Sequence, residues 1–459
     1  GSPEFFCYFV ISMIEKTVWI KNPLAILADN SENGVVIQGN KIIELVGKGK
    51  KPKSTYEKVY DASDSVVLPG LINAHHHFYQ TLTRAFPGAL NKELFPWLKS
   101  LYKVWAHIKP EMHSVATELA LSELLLSGCT TASDHHYLFP RQLHDAIDIQ
   151  VSVAQKLGMR ATLTRGSMSL GERDGGLPPQ SVVQDDEEIL IESERLINNY
   201  HQPDEGSMVQ IALAPCSPFS VTTELMKSTA KLANKFNVRL HTHLAETMDE
   251  ENFCLQKYGL RTVDYLDSVG WLSDKTWLAH GIHFNEQEIQ KLGSAGVGIC
   301  HCPSSNMMLA SGICHNLELE EHGCIIGLGV DGSASNDGSN MINEVRQAMY
   351  LQRLKYGASK VTHNRALEWA TSGSAKLLGR DDIGEIVIGK QADLALFKLN
   401  DMRFSGSHDP LAALLLCGAQ KADRVMVAGK WLVIDSQIEG LDEGELIYRH
   451  SAAAKELSK

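Results

Sequence analysis

The stretch Val67-Leu68-Pro69-Gly70-Leu71-Ile72-Asn73-Ala74-His75-His76-His77 is an apolar run of strand length that ends on three histidines. In an extended chain, residues i and i+2 point the same way. His75 and His77 therefore share a face and can chelate one ion, while His76 points away. Imidazole nitrogens with one position left for water suit zinc.

Seven further apolar runs follow, with helical patterns between them. They are Thr130-Thr131-Ala132-Ser133, Arg160-Ala161-Thr162-Leu163-Thr164, Val209-Gln210-Ile211-Ala212-Leu213-Ala214, Val238-Arg239-Leu240-His241-Thr242, Thr276-Trp277-Leu278-Ala279, Val297-Gly298-Ile299-Cys300 and Cys324-Ile325-Ile326-Gly327-Leu328-Gly329-Val330. Continuous apolar runs alternating with helices indicate an α/β protein with a parallel sheet. Eight of them over roughly 250 residues predict a closed (β/α)8, TIM-like barrel. In such a barrel the C-terminal strand ends carry the active site. Here those ends lead into His75 and His77, Asp134-His135-His136, Arg165, Cys216, His243 and Glu246, His280 and His283, and Asp331. The seventh run leads into His301 and, past Pro303, Asn306.

Short β-like runs flank this middle. Thr17-Val18-Trp19-Ile20, Gly34-Val35-Val36-Ile37 and Lys41-Ile42-Ile43-Glu44-Leu45-Val46 precede it. Ala392-Asp393-Leu394-Ala395-Leu396-Phe397 and Arg424-Val425-Met426-Val427-Ala428-Gly429 follow it. The two ends are expected to build one small β domain. Its segments are 13–67 and 381–449, around a barrel over 68–380, with a tail over 450–459. Gly1-Ser2-Pro3-Glu4-Phe5 reads as a fusion remnant, so residues 1–12 are set apart as expression-derived or disordered, with Met13 as the native start. No export signal remains on that reading, and the expected compartment is the cytoplasm.

The chain has 459 residues, 44% hydrophobic and 21% charged, which leaves room for a large core. Its net charge of −12 disfavours a phosphate backbone as partner, so nucleic acid is not expected. Nine cysteines lack a framework spacing, which suits free thiols in a reducing compartment. No run is long enough to cross a bilayer. Neither a Gly-rich phosphate fingerprint after a strand nor a G-x-S-x-G elbow is present.

His241-Thr242-His243-Leu244-Ala245-Glu246 forms a second cluster. Its two histidines share a face, so alternation does not choose between them as ligands. Glu246 stands three residues beyond His243, in reach of a role as proton carrier. His280 can be ligand, base or hydrogen-bond donor. Asp331 can bind zinc and also accept a proton from water.

Pro69-Gly70-Leu71-Ile72-Asn73-Ala74-His75-His76-His77, His241-Thr242-His243-Leu244-Ala245-Glu246, Ala279-His280-Gly281 and Gly329-Val330-Asp331-Gly332 resemble the signature set of the amidohydrolase superfamily, in its aminohydrolase branch. The resemblance runs over about residues 19–449 and includes the β-sandwich motif Ile388-Gly389-Lys390-Gln391-Ala392-Asp393-Leu394. Longer segments are similar to bacterial 8-oxoguanine deaminases: His75-His76-His77-Phe78-Tyr79-Gln80-Thr81-Leu82-Thr83-Arg84, Ser133-Asp134-His135-His136-Tyr137-Leu138-Phe139-Pro140, Arg165-Gly166-Ser167-Met168-Ser169-Leu170-Gly171 and Ala214-Pro215-Cys216-Ser217-Pro218-Phe219-Ser220-Val221.

The resemblance implies a barrel with a small β-sandwich. It implies one zinc ion per chain, replaceable by iron or another divalent ion, on His75, His77, His243 and Asp331. Glu246, His280 and Asp331 would be catalytic. The implied reaction is hydrolytic deamination of 8-oxoguanine to urate and ammonia, with zinc-activated water attacking the amine-bearing ring carbon. Guanine, isoxanthopterin or a hydroxytriazine are the alternative substrates on the same scaffold. Guanine deaminases carry Arg-Phe after the fourth strand, where this chain has Cys216-Ser217. Guanine offers an N7 acceptor to a donor-only Arg, whereas the oxidised base offers N7–H. Cys216, Gln80 and Trp97 are the expected substrate-binding residues. A small purine-like molecule is the expected partner, with no membrane and with a homo-oligomer, dimer or larger, as the assembly.

Overall fold

Eight parallel strands stand side by side in chain order in the computed structural model, which describes residues 16–459. They are β1 (Leu71–Asn73), β2 (Cys129–His136), β3 (Arg160–Ser167), β4 (Val209–Pro215), β5 (Leu240–Leu244), β6 (Thr276–His280), β7 (Gly298–His301) and β8 (Ile325–Leu328). The expectations for residues 1–12 and for a start at Met13 lie outside the described residues. The ladder closes on itself just past its first and last strands. Ala74 N–H donates to the Leu328 carbonyl at 3.0 Å, and Asp331 N–H to that of His75 at 3.1 Å. Nearly every strand residue is buried, as expected where helices cover the outside and side chains fill the inside.

The opening stretch divides differently from its expected reading. Residues 67–72 do not form one barrel strand. Ser65–Pro69 pairs antiparallel with Leu394–Lys398 in a separate sheet, and only Leu71–Asn73 joins the barrel. Gly70 is the crossing point. A Cβ there would stand 2.0 Å from Thr130 Oγ1, so only glycine lets the chain pass that close.

Two further sheets come from the ends of the chain. One is four-stranded, in the order Lys41–Leu45, Gly34–Gln38, Thr17–Lys21 and Lys58–Asp61. The other is six-stranded and includes Ser65–Pro69, Leu394–Lys398 and Arg424–Val427. Ile20, Val35 and Ile37 of the first pack with Val67, Leu394, Leu396 and Met426 of the second, which makes a sandwich core. Arg160 at the start of β3 links it to the barrel. Its guanidinium bonds Asp393 Oδ2 at 2.7 Å and Gln391 Oε1 at 2.8 Å, all buried.

Residues 450–457 of the expected tail 450–459 belong to the helix Glu443–Leu457. That helix lies along Pro110–Leu126, and His450 Nε2 meets Thr81 Oγ1 at 2.8 Å. Leu446 and Leu457 are buried there, so apolar contact holds the segment down. No helix among the described residues is long and apolar enough to cross a membrane.

Candidate metal centre and pocket

The strand ends bring His75, His77, His243, His280 and Asp331 to one buried point. Asp331 Oδ1 is 3.2 Å from His75 Nε2 and 3.2 Å from His77 Nε2. His77 Nε2 is 3.3 Å from His243 Nε2. Asp331 Oδ2 is 3.6 Å from His280 Nε2, and Glu246 Oε2 is 3.4 Å from the same nitrogen. The turns that bring them there are strained. Ala245 (φ 53°), His280 (φ 76°) and Asp331 (φ 63°) all adopt left-handed backbone. Each costs on the order of 1–3 kcal/mol and persists only where surrounding packing holds it.

Hydrogen bonding decides which nitrogen each imidazole points inward. His77 Nδ1 is 2.6 Å from the His135 carbonyl, and His243 Nδ1 is 2.6 Å from the Cys216 carbonyl. A carbonyl only accepts, so each Nδ1 carries hydrogen and each Nε2 keeps a lone pair when neutral. His75 Nε2 is buried without a hydrogen-bond partner. Three imidazole Nε2 atoms and a carboxylate oxygen thus converge with unused lone pairs. That donor set fits a divalent cation of borderline hardness. Donor atoms of His75, His243, His280 and Asp331 all lie within 4.8 Å of one another, as do those of His75, His77, His135 and His243.

Charge in the centre is polarised. Burial works against the Asp331 carboxylate, but the imidazoles of His75, His77 and His280 gathered around it hold it well below the usual range. Glu246 goes the other way: burial, then the charges of Asp331 and Glu250, push its carboxyl well above the usual range. Two carboxyls in one site therefore separate into a base and an acid. Burial lowers His280 to about 4, so it is a neutral imidazole at pH 7.

A pocket opens beside these groups, lined by His77, His243, Glu246, His280 and Asp331 on one side. All three expected substrate residues line it. Gln80 Oε1 accepts from Ala334 N–H at 3.3 Å, so its NH₂ is the end left for a ligand. Gly332 makes room for it, since a Cβ would stand 1.9 Å from Gln80 Oε1. Trp97 donates from Nε1 to the Ala334 carbonyl at 3.3 Å, which fixes its ring on the wall. Burial raises the Cys216 thiol to about 12, so it stays protonated.

Sequence reasoning placed no role on several neighbours. Asn306, on α1 (Pro303–Met308), stands with Nδ2 3.0 Å from His280 Nδ1. An amide N–H donated to Nδ1 leaves the His280 hydrogen on Nε2, facing both carboxylates. Glu250, on α2 (Met248–Tyr258), accepts from Glu246 N–H at 3.0 Å and thereby holds the strained turn after β5. Tyr102 and Tyr137 line the cavity wall with Cys216. Asn306 and Tyr137 follow barrel strand ends, but no spacing assigns either a role; Tyr102 and Glu250 arrive on helices.

Known proteins share this architecture and sequence. The amidohydrolase family model matches residues 66–432. The chain is 66% identical to 8-oxoguanine deaminase of Pseudomonas aeruginosa over 96% of its own length and 98% of that protein's. It is 32% identical to an isoxanthopterin deaminase from an unknown prokaryotic organism, over 85% of each. The crystal structure of atrazine chlorohydrolase TrzN from Arthrobacter aurescens TC1, complexed with zinc, matches with a TM-score of 0.89 at 29% identity. It covers 95% of this chain and 100% of that one.

Proposed function

The chain belongs to the amidohydrolase family, and from that premise we propose that it hydrolyses 8-oxoguanine to urate and ammonia. The observation that carries this is 66% identity to a deaminase of that substrate over nearly the full length of both chains. The buried acid–base pair in the barrel mouth is chemically suited to it.

We further propose that His75, His77, His243 and Asp331 hold one zinc ion, with iron or another divalent ion able to replace it. When bound, the metal supplies a Lewis acid that makes water nucleophilic near neutral pH. Asp331, held ionised among the imidazoles, takes a proton from the attacking water. Glu246, held protonated by burial, delivers a proton to the ring nitrogen beside the amine-bearing carbon. His280 donates from Nε2 to the oxygen that gains charge, its hydrogen kept there by Asn306. Asp331 then passes its proton to the amine, ammonia departs, and the hydroxyl proton returns to Glu246 as the carbonyl of urate forms. Gln80 contributes its NH₂ to a ring carbonyl, Trp97 covers the ring, and the neutral Cys216 tolerates the N7–H edge that an arginine would repel.

A homo-oligomer, dimer or larger, is the proposed assembly. The cytoplasm is the proposed compartment. Ammonia release from 8-oxoguanine, guanine, isoxanthopterin and a hydroxytriazine tests the substrate directly. The highest kcat/KM is expected for 8-oxoguanine, and a higher value for any of the others replaces this reading.

A further inference from the structure

We propose that His241 is a positioning residue for the metal centre: it fixes the tautomer of His75 so that His75 Nε2 faces the ion with a lone pair. This rests on the reading of His75 as a ligand.

His241 and His243 share the inner face of β5 but sit at different depths. His243 reaches the mouth and meets His77, whereas His241 lies one layer down, fully buried. Its ring stacks on Trp277, centroids 4.2 Å apart and planes 19° apart, so its orientation is locked. His241 Nδ1 is 2.8 Å from the Trp277 carbonyl oxygen, and His241 Nε2 is 2.8 Å from His75 Nδ1.

Those two contacts leave little freedom. The carbonyl has no hydrogen to give, so His241 Nδ1 carries one. Of the two nitrogens facing each other at 2.8 Å, one must donate and the other accept. A donating His241 Nε2 would make the ring a buried cation, yet no carboxylate is paired with it among the described residues. Such a charge is costly. His241 Nε2 is therefore the acceptor, and His75 Nδ1 the donor. A neutral His75 then has its lone pair on Nε2, the atom that stands 3.2 Å from Asp331 Oδ1. The Trp277 carbonyl thus sets, through two rings, which His75 nitrogen can bind metal. His77 and His243 need no such relay, because each bonds a backbone carbonyl directly.

The test is zinc affinity of the full chain, measured by competition with a chromophoric chelator. His241→Phe keeps a ring against Trp277 and removes the acceptor. Zinc binding is expected to weaken about 10–100-fold, the usual cost of losing an outer partner of a ligating imidazole. His241→Leu, a second variant without an acceptor, should weaken alike. His241→Gln can place Oε1 where Nε2 stood and should fall between Phe and wild type. Cooperative unfolding of each variant checks that it folds. Wild-type affinity in folded H241F or H241L overturns the proposal, and so does equal weakening in H241Q and H241F, which would mean that only ring packing matters. His75→Ala separates the two readings. If H75A binds zinc as tightly as wild type, His75 is not a ligand. If H75A loses zinc while H241F keeps it, the relay alone is wrong.

Discussion

Replacing Glu246 by glutamine isolates one proton. Gln has nearly the shape of Glu, and its oxygen can still face His280 Nε2, 3.4 Å from Oε2 in the native chain. The bond from Glu246 N–H to Glu250 involves backbone and survives. What disappears is the exchangeable proton that burial, Asp331 and Glu250 keep on this carboxyl. General acid–base help of this kind contributes about 10²–10⁴-fold, or about 3–5 kcal/mol of barrier. The expected result is a fall of about 10³ in kcat for ammonia release from 8-oxoguanine, with KM within a few-fold of wild type and zinc content unchanged. Steady-state kinetics and metal analysis on one preparation measure all three. Turnover within a few-fold of wild type refutes the proton role. Loss of zinc in E246Q refutes the assignment differently, by making Glu246 part of the metal's support.

Other expectations follow from single contacts. Asn306→Ala removes the 3.0 Å donor to His280 Nδ1, a bond worth about 1 kcal/mol, so kcat should drop about fivefold with KM unchanged; a KM effect alone would place Asn306 in substrate binding instead. Cys216→Arg restores the donor found in guanine deaminases and should shift the kcat/KM ratio toward guanine by at least about tenfold, which competition assays with both bases read directly. Asp382 governs acid stability. Burial raises its carboxyl, but the bidentate bond from Arg380 outweighs this and holds it at about 2. A depressed carboxyl stabilises the fold above its unfolded value of about 3.9 and loses that contribution as pH falls toward 2. Asp382→Asn should lower the urea midpoint at pH 7 and reduce its decline between pH 4 and 2; an unchanged slope would show that the pair does not act in this way.

Much of the candidate centre could be read in the sequence because its imidazoles and carboxylates come in short local patterns. Alternation paired His75 with His77, and the apolar runs placed Asp331 at the end of the eighth strand. The same alternation could not choose between His241 and His243. Both point inward, and only depth along the barrel axis separates the ring at the candidate metal point from the ring behind it. The run through Gly70 misled for a related reason: a continuous apolar stretch looks the same whether it stays in one sheet or crosses between two. The C-terminal residues were undervalued because the helix Glu443–Leu457 has a modest apolar face, which acquires its partner only from Pro110–Leu126.

By itself the sequence determined the barrel and the shared face of His75 and His77, since hydrophobic periodicity and i, i+2 histidines are local properties of the chain; the class of chemistry came from its resemblance to the amidohydrolase family. The tertiary structure alone decided which proton sits where. Tautomers and carboxyl protonation depend on burial and on partners from other elements of the fold: the Trp277 carbonyl behind His241, Asn306 behind His280, and Glu250 and Asp331 around Glu246. Asp331 meets His75 and His77 only where the chain past the eighth strand closes on the first.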